Sequence, residues 1–245
     1  MVASTGGPFS DGSISIDSTS IRHNVSNGRG GGAMFQQGKV TLNNSAIMNN
    51  SGTNGGGLCL DSMREPIIIN SKIHSNTASG MGGGIYVYMA DMVLENSILA
   101  NNTSSSGGGI YIDRLRSVGN SISNTQIINN VATEGGGAYF TEYVHPTLTN
   151  VTISNNSKEG IYSSLDEAIS VSYSNIVNND FGVYNSTNAS ILNLANNYWK
   201  LGQYKKSIKH YKKTLKIQPF DAEAHTGIGF AYGKIGQTDT AIYHY

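Results

Sequence analysis

The sequence predicts a mainly-β chain whose short strands coil into a parallel solenoid, followed by a short helical tail. Three observations carry this: a two-part residue marker recurring about every 25 residues, apolar alternation of period two within each unit, and an abrupt change of composition near residue 200. Of 245 residues, 30 are Gly, 27 Asn and 30 Ser, and only 13% are charged. These residues weaken helix interiors, so most of the chain cannot be a helical bundle. Gly does not fall at every third position, which excludes a collagen-like chain. The single cysteine, Cys59, excludes a disulfide framework and a Cys-based zinc site.

The first part of the marker is a glycine cluster followed by apolar residues. It reads Gly30-Gly31-Gly32-Ala-Met-Phe, then Gly55–Gly57, Gly82–Gly84, Gly107–Gly109 and Gly135–Gly137, and fades to Gly160-Ile-Tyr and Gly182-Val-Tyr. The second part is apolar-x-x-Asn, ending at Asn24, Asn50, Asn76, Asn102, Asn130, Asn156 and Asn179. Helix-pair repeats need roughly 33 to 47 residues of continuous helical periodicity, and the apolar runs here are far shorter. Val40-Thr-Leu42 and Ile110-Tyr-Ile112 alternate instead, as strands do. A strand–turn–strand unit of this length closes one coil and stacks on the next. The result is a parallel β-helix of about seven coils, a rod near 35 Å long at roughly 4.8 Å per coil. Glycine then permits positive φ and close approach at the turns, and a column of asparagines forms an amide ladder along the rod.

Ile-x-x-Asn paired with Gly31-Gly32-Ala33-Met34-Phe35 and Gly136-Gly137-Ala138-Tyr139-Phe140 resembles right-handed parallel β-helix proteins, with pectate-lyase-like repeats among them. It is close to the repeats of chlamydial-type polymorphic outer-membrane proteins. The resemblance covers about residues 14–185, with Ile or Leu where those repeats carry Phe, and the membrane barrel of that family is missing from this sequence. It implies a right-handed coil and a secreted or cell-surface setting, and no transport mechanism is carried over.

The formal charge of zero conceals two unlike parts. Residues 1–199 hold 8 Lys/Arg and 13 Asp/Glu, whereas 200–245 hold 8 Lys and 3 acids, and all 27 Asn precede Lys200. In the tail, Tyr204, Ile208, Tyr211 and Leu215 form one apolar helical stripe, bounded by Lys205, Lys206, Lys209, Lys212, Lys213 and Lys216. Pro219 and Asp221 end one helix and begin the next. Leu194, Ala195, Tyr198, Gly202, Tyr204, Tyr211 and Pro219 resemble the tetratricopeptide repeat, with Ser207 and Thr214 replacing small Ala and weakening the helix contact. Ile228, Gly229, Tyr232, Gly236, Ala241 and Tyr245 continue a second copy 34 residues on. The expected division is 1–187 for the β-helix and 188–245 for the helices, one full repeat over 188–221 and a truncated one over 222–245. Residues 188–199 could also form a last coil; the helical phase of Leu194, Ala195 and Tyr198 favours helix. About three such repeats normally make a stable stack, so the chain reads as a piece of a longer protein, or its helices pack on the rod's end.

Asp61 and Asp113 share one phase, four residues after their last Gly, with Tyr88 in the coil between. At two coils, roughly 10 Å, they are too far apart to share one Ca²⁺ directly and just within reach of an inverting glycosidase pair. They are the weak catalytic candidates. His23, His74 and His145 fall at different phases, and no metal or cofactor motif is found. Cys59 is expected to be a small buried hydrophobe at a core phase. Tyr86, Tyr111, Tyr139, Tyr162 and Tyr184 form one column: facing inward it is aromatic core, facing outward a platform for sugar rings.

The function expected is a non-catalytic extracytoplasmic scaffold for surface adhesion or for carbohydrate or protein binding. Its rod would meet a polysaccharide or surface protein, and its helical tail a protein or peptide. No recognition motif for nucleic acid accompanies the lysines, and no 18-residue apolar run spans a membrane. The alternative is a polysaccharide lyase or glycoside hydrolase of the β-helix class.

Overall fold

The computed structural model describes residues 2–4, 12–114, 119–141, 144, 146–164, 169–185, 195–196, 198–217 and 219–244. Short strands build three parallel ladders of eight, seven and seven strands, and every pairing joins residues one coil apart. The seven strands of the second and third ladders give six coil-to-coil steps. The first sheet runs from Val2–Ser4 through Ala33–Gln36, Leu58–Asp61, Ile85–Tyr88, Ile110–Asp113, Ala138–Phe140 and Glu159–Ser163 to Phe181–Asn185. The second runs from Ser13–Asp17 to Ser170–Ser172, and the third from Ser20–Arg22 to Asn175–Val177.

The period-two alternation places one apolar column from each sheet inside. Ile85 and Val87 of the first sheet, Leu94 of the second and Leu99 of the third meet in one continuous buried core, with equivalents in every coil. Because each coil contacts only its neighbours, stability is a sum of coils and the seams between them.

The turns explain the marker. Asn50, Asn76, Asn102, Asn130 and Asn156 are buried. The Asn76 side-chain amide donates to Asn102 Oδ1 of the next coil at 3.1 Å and to the Ile47 carbonyl of the previous coil at 2.9 Å, while Asn102 Oδ1 also accepts the Asn76 backbone N–H at 3.0 Å. Each asparagine thus ties three coils and uses all four of its hydrogen-bonding positions. The ladder runs unbroken from Asn24 to Asn179. In the glycine clusters the first residue takes positive φ, as at Gly107 (66°). The second approaches the next coil so closely that a Cβ on Gly108 would lie 2.4 Å from the Gly136 carbonyl oxygen.

Helix α1 (Tyr204–Ile217), α2 (Ala222–Lys234) and α3 (Thr238–Tyr243) follow the rod. Asp221 caps α2 by accepting the Ala224 N–H at 2.7 Å. Ala195, Asn196 and Tyr198–Lys200 are helical as well; the boundary expected at 187/188, like His145 and Leu194, lies outside the described residues. Ile208, Tyr211, Ala224 and Ile228 bury a second small core with Tyr204 and Leu215 at its margin, along the stripe read from the sequence. Ser207, expected to weaken this contact, lies buried in it. Its buried hydroxyl donates to the Ala195 carbonyl at 2.9 Å and replaces packing with a hydrogen bond. Tyr198 enters the rod's core, and its hydroxyl bridges the Ile176 N–H and carbonyl, so the helices pack on the end of the rod.

Candidate functional site

Three surfaces collect the residues singled out by sequence. The first is the outer face of the first sheet. Tyr86 and Tyr111 pair register to register between the inward Ile85/Val87 and Ile110/Ile112, so the tyrosine column faces outward. The rings stack on one another along the rod, with centroids 5.7, 4.7, 4.6 and 4.8 Å apart and planes within 27°. Successive ring faces are therefore taken up by neighbouring tyrosines. The column is also partly roofed: Tyr86 and Tyr111 are only 4% and 7% exposed, whereas Tyr184 is 49% exposed. Burial pushes the phenols of Tyr86 and Tyr139 up to about 12 and raises Tyr111 and Tyr162 likewise.

Cys59 lies in this same column, in register with Met34 and Tyr86. It is buried as expected, but against the outer tyrosines and not in the central core, because Leu58 and Leu60 occupy the inward positions. The continuous apolar run Leu58-Cys59-Leu60 hid that alternation. Burial, reinforced by the Asp61 carboxylate, pushes its thiol up to about 12 and keeps it un-ionised.

The roof is a second outward column. Asp61 forms a 3.0 Å ion pair with Arg29, whose guanidinium lies 5.9 Å from the Tyr86 ring centre and 6.0 Å from that of Tyr88. Arg114 lies 5.7 Å from the Tyr88 ring centre on behalf of the next coil, and Asp113 accepts the Thr141 hydroxyl at 2.9 Å. Tyr88 pairs with both Asp61 and Asp113 and separates them. Each carboxylate is engaged with its own partner, Asp61 with Arg29 and Asp113 with Thr141.

The second surface is an apolar cleft of about 290 Å³ on the helical segment, lined by Asn196, Trp199, Tyr211, Glu223, Thr226, Gly227 and Phe230. Gly227 lets the Tyr211 ring pack against α2, since a Cβ there would lie 2.2 Å from the ring. Tyr211 is held across the helices by its hydroxyl bond to Asn196. Trp199 and Phe230 remain 36% and 51% exposed, and sequence reading missed both. Trp199 could have been found as the one tryptophan of the chain.

The third surface divides the six lysines. Lys206, Lys209 and Lys213 line a cavity of about 260 Å³ between α1 and the last coil, with Asn178, Asn179, Asp180 and His210. Lys212 instead lies 5.3 Å from the Tyr232 ring centre, and Lys205 lines a separate hollow with Ile235. His210 is buried against Tyr198. Burial first, then Lys213 and Lys209, push it from 6.5 down to about 3. A base whose folded pKa is depressed binds fewer protons folded than unfolded. Stability is therefore full above about pH 6.5 and lost as pH falls toward 3, with a slope of up to about 1.4 kcal/mol per pH unit. Chemical denaturation from pH 7 to 4 is expected to show this slope and His210→Gln to flatten it.

A family model described as right handed beta helix region matches residues 56–204, more than half of the chain. The chain belongs to the right-handed β-helix family. A second model, for the tetratricopeptide (TPR) repeat, matches residues 195–236 of the same protein. No curated protein and no solved structure matches it. The β-helix thus carries a TPR repeat segment on the end of its rod, a repeat scaffold with protein-binding potential. Among the described residues, no group of three or more His, Cys, Asp or Glu is placed to hold a metal, and no helix is long and apolar enough to cross a membrane.

Proposed function

We propose that this β-helix is a non-catalytic extracytoplasmic binding scaffold whose helical segment captures a partner peptide in the Trp199–Phe230 cleft. The carrying observation is the pair of half-exposed aromatics flanking an apolar hollow that Tyr211 and Gly227 also line. Exposed aromatic anchors beside a preformed hollow are the usual centres of binding energy. The surface or secreted setting rests on the likeness of the rod's coils to outer-membrane repeats. Trp199, the chain's single tryptophan, makes the test direct. Peptides selected from a display library on the whole protein should shift its emission to the blue, and Phe230→Ala should weaken them about tenfold or more. Selected peptides that leave the emission unmoved would overturn the reading.

A second reading concerns the open end of the tyrosine column. There the rings of Tyr139, Tyr162 and Tyr184 follow one another at roughly the coil spacing, and the half-exposed Tyr184 ends the stack. Such a comb suits the hydroxyls of an extended polysaccharide better than the faces of its rings. On a polysaccharide panel, binding should fall several-fold for the double variant Tyr139→Phe/Tyr162→Phe, which keeps the stack and removes the hydroxyls. Turnover of any member, lost in Asp61→Asn or Asp113→Asn, would establish the enzyme alternative instead.

A further inference from the structure

The cavity between α1 and the last coil holds more positive charge than the protein neutralises. Lys206, Lys209 and Lys213 stand at i, i+3 and i+7 on one helix face and look onto the turn Asn178–Gly182. Three ammonium groups face one carboxylate, Asp180, and His210 contributes no charge at neutral pH because burial keeps it neutral. Asp180 is itself engaged, its Oδ2 accepting the Lys158 N–H at 2.9 Å. Among the described residues, no carboxylate lies within ion-pair distance of any of the three lysines. Lys213 is only partly exposed, and burial together with Lys209 and Lys216 disfavours its charge. The helix-turn spacing could have placed these lysines on the solvent side. The packing of Tyr198 into the core brings this face to the rod's end, where Lys206 and Lys209 line the cavity while staying exposed, and Lys206 lies 5.5 Å from the Tyr198 ring centre.

We propose that this cavity is a binding site for a dianionic phosphate group, either free or as the head of a small phosphate monoester. The charge balance of the lining is +2, which such a group neutralises. Lysine suits it, since an ammonium is a compact point charge that contacts a tetrahedral oxyanion without the planar matching that arginine imposes. The volume of about 260 Å³ admits a phosphate with a short substituent. Lys205, Lys212 and Lys216 do not line it, and the site is separate from the aromatic cleft, so it stands whether or not that cleft binds peptide.

The test uses the whole chain titrated with inorganic phosphate, and in a second arm with methyl phosphate, at fixed ionic strength and pH 7.5, by calorimetry and amide chemical shifts. Saturable binding at about millimolar affinity or tighter is expected, with shifts centred on Gly182 and α1. Lys209→Ala/Lys213→Ala should weaken it at least tenfold. Lys205→Ala/Lys212→Ala, which removes the same charge elsewhere on the helix, should change it less than twofold. Lys213→Arg should retain most of the affinity, showing that charge and not fold was lost. Equal tightness in both arms identifies the phosphate group as the whole determinant; tighter methyl phosphate places the substituent in the cavity. Absence of saturation in both arms, or equal losses from the two double variants, would overturn the site.

Discussion

Asn102→Ala is expected to destabilise the rod by about 4 kcal/mol, measured by denaturant unfolding of the whole chain. The substitution does not remove one bond. It leaves the Asn76 backbone N–H and side-chain amide without their shared acceptor and takes from the Ile73 carbonyl and Asn130 Oδ1 a donor each. All of these groups belong to buried residues, and an orphaned buried polar group costs about 1–3 kcal/mol. Asn102→Asp should do nearly as badly, because it keeps the acceptor but turns an oxygen toward two others. Asn24, at the exposed end of the same ladder, supplies the contrast: Asn24→Ala should cost about 1 kcal/mol or less, since the Asn24 backbone N–H still satisfies Asn50 Oδ1 and the other partner, the Arg22 carbonyl, belongs to an exposed residue. Equal losses at the two positions would show that the ladder is not a cooperative spine.

The second large effect is steric. Gly108→Val is expected to prevent stacking of two adjacent coils, with a loss of at least about 4 kcal/mol or failure to fold. Its Cβ alone would sit 2.4 Å from the Gly136 carbonyl oxygen and 2.8 Å from that of Val131, both backbone atoms that cannot move without breaking the ladder. Gly233→Ala in α2 gives the opposite sign. Nothing lies within 4 Å of a Cβ there and the residue is helical, so stability should rise by up to about 1 kcal/mol. Thermal unfolding of the pair separates glycine used for space from glycine that is merely tolerated.

The markers that repeat were the legible ones. Glycine and asparagine recur because every coil needs the same turn, and repetition revealed the solenoid, its ladder and its apolar columns. A parallel ladder built from serine escaped notice. Ser71 Oγ accepts the Ser45 N–H and Ser97 Oγ the Ser71 N–H, both at 3.1 Å, with Thr125 next in line. Its spacing matches that of the asparagines, but serine is so abundant in the chain that no single column stood out. Alternation set the tyrosine column opposite its apolar flanks without deciding which of the two faced inward, and what roofs it was hidden as well, since Arg29 reaches it from a different turn of the coil. The lysines show the same limit. Helical phase separates Lys206, Lys209 and Lys213 from their neighbours, yet only the docking of Tyr198 decides that their face looks at protein.

That docking has a consequence for how the molecule behaves in a crowd. A parallel solenoid adds a rung by the hydrogen bonds that already hold it, so its last rung is a template on which any other strand, from another copy included, can polymerise. The Tyr198 hydroxyl occupies both the N–H and the carbonyl of Ile176 in the terminal strand of the third sheet, and Gln203 takes the Asn175 side chain beside it. The helical segment thus caps this strand of the last rung, and its Ile176 N–H and carbonyl are withheld from pairing with another copy.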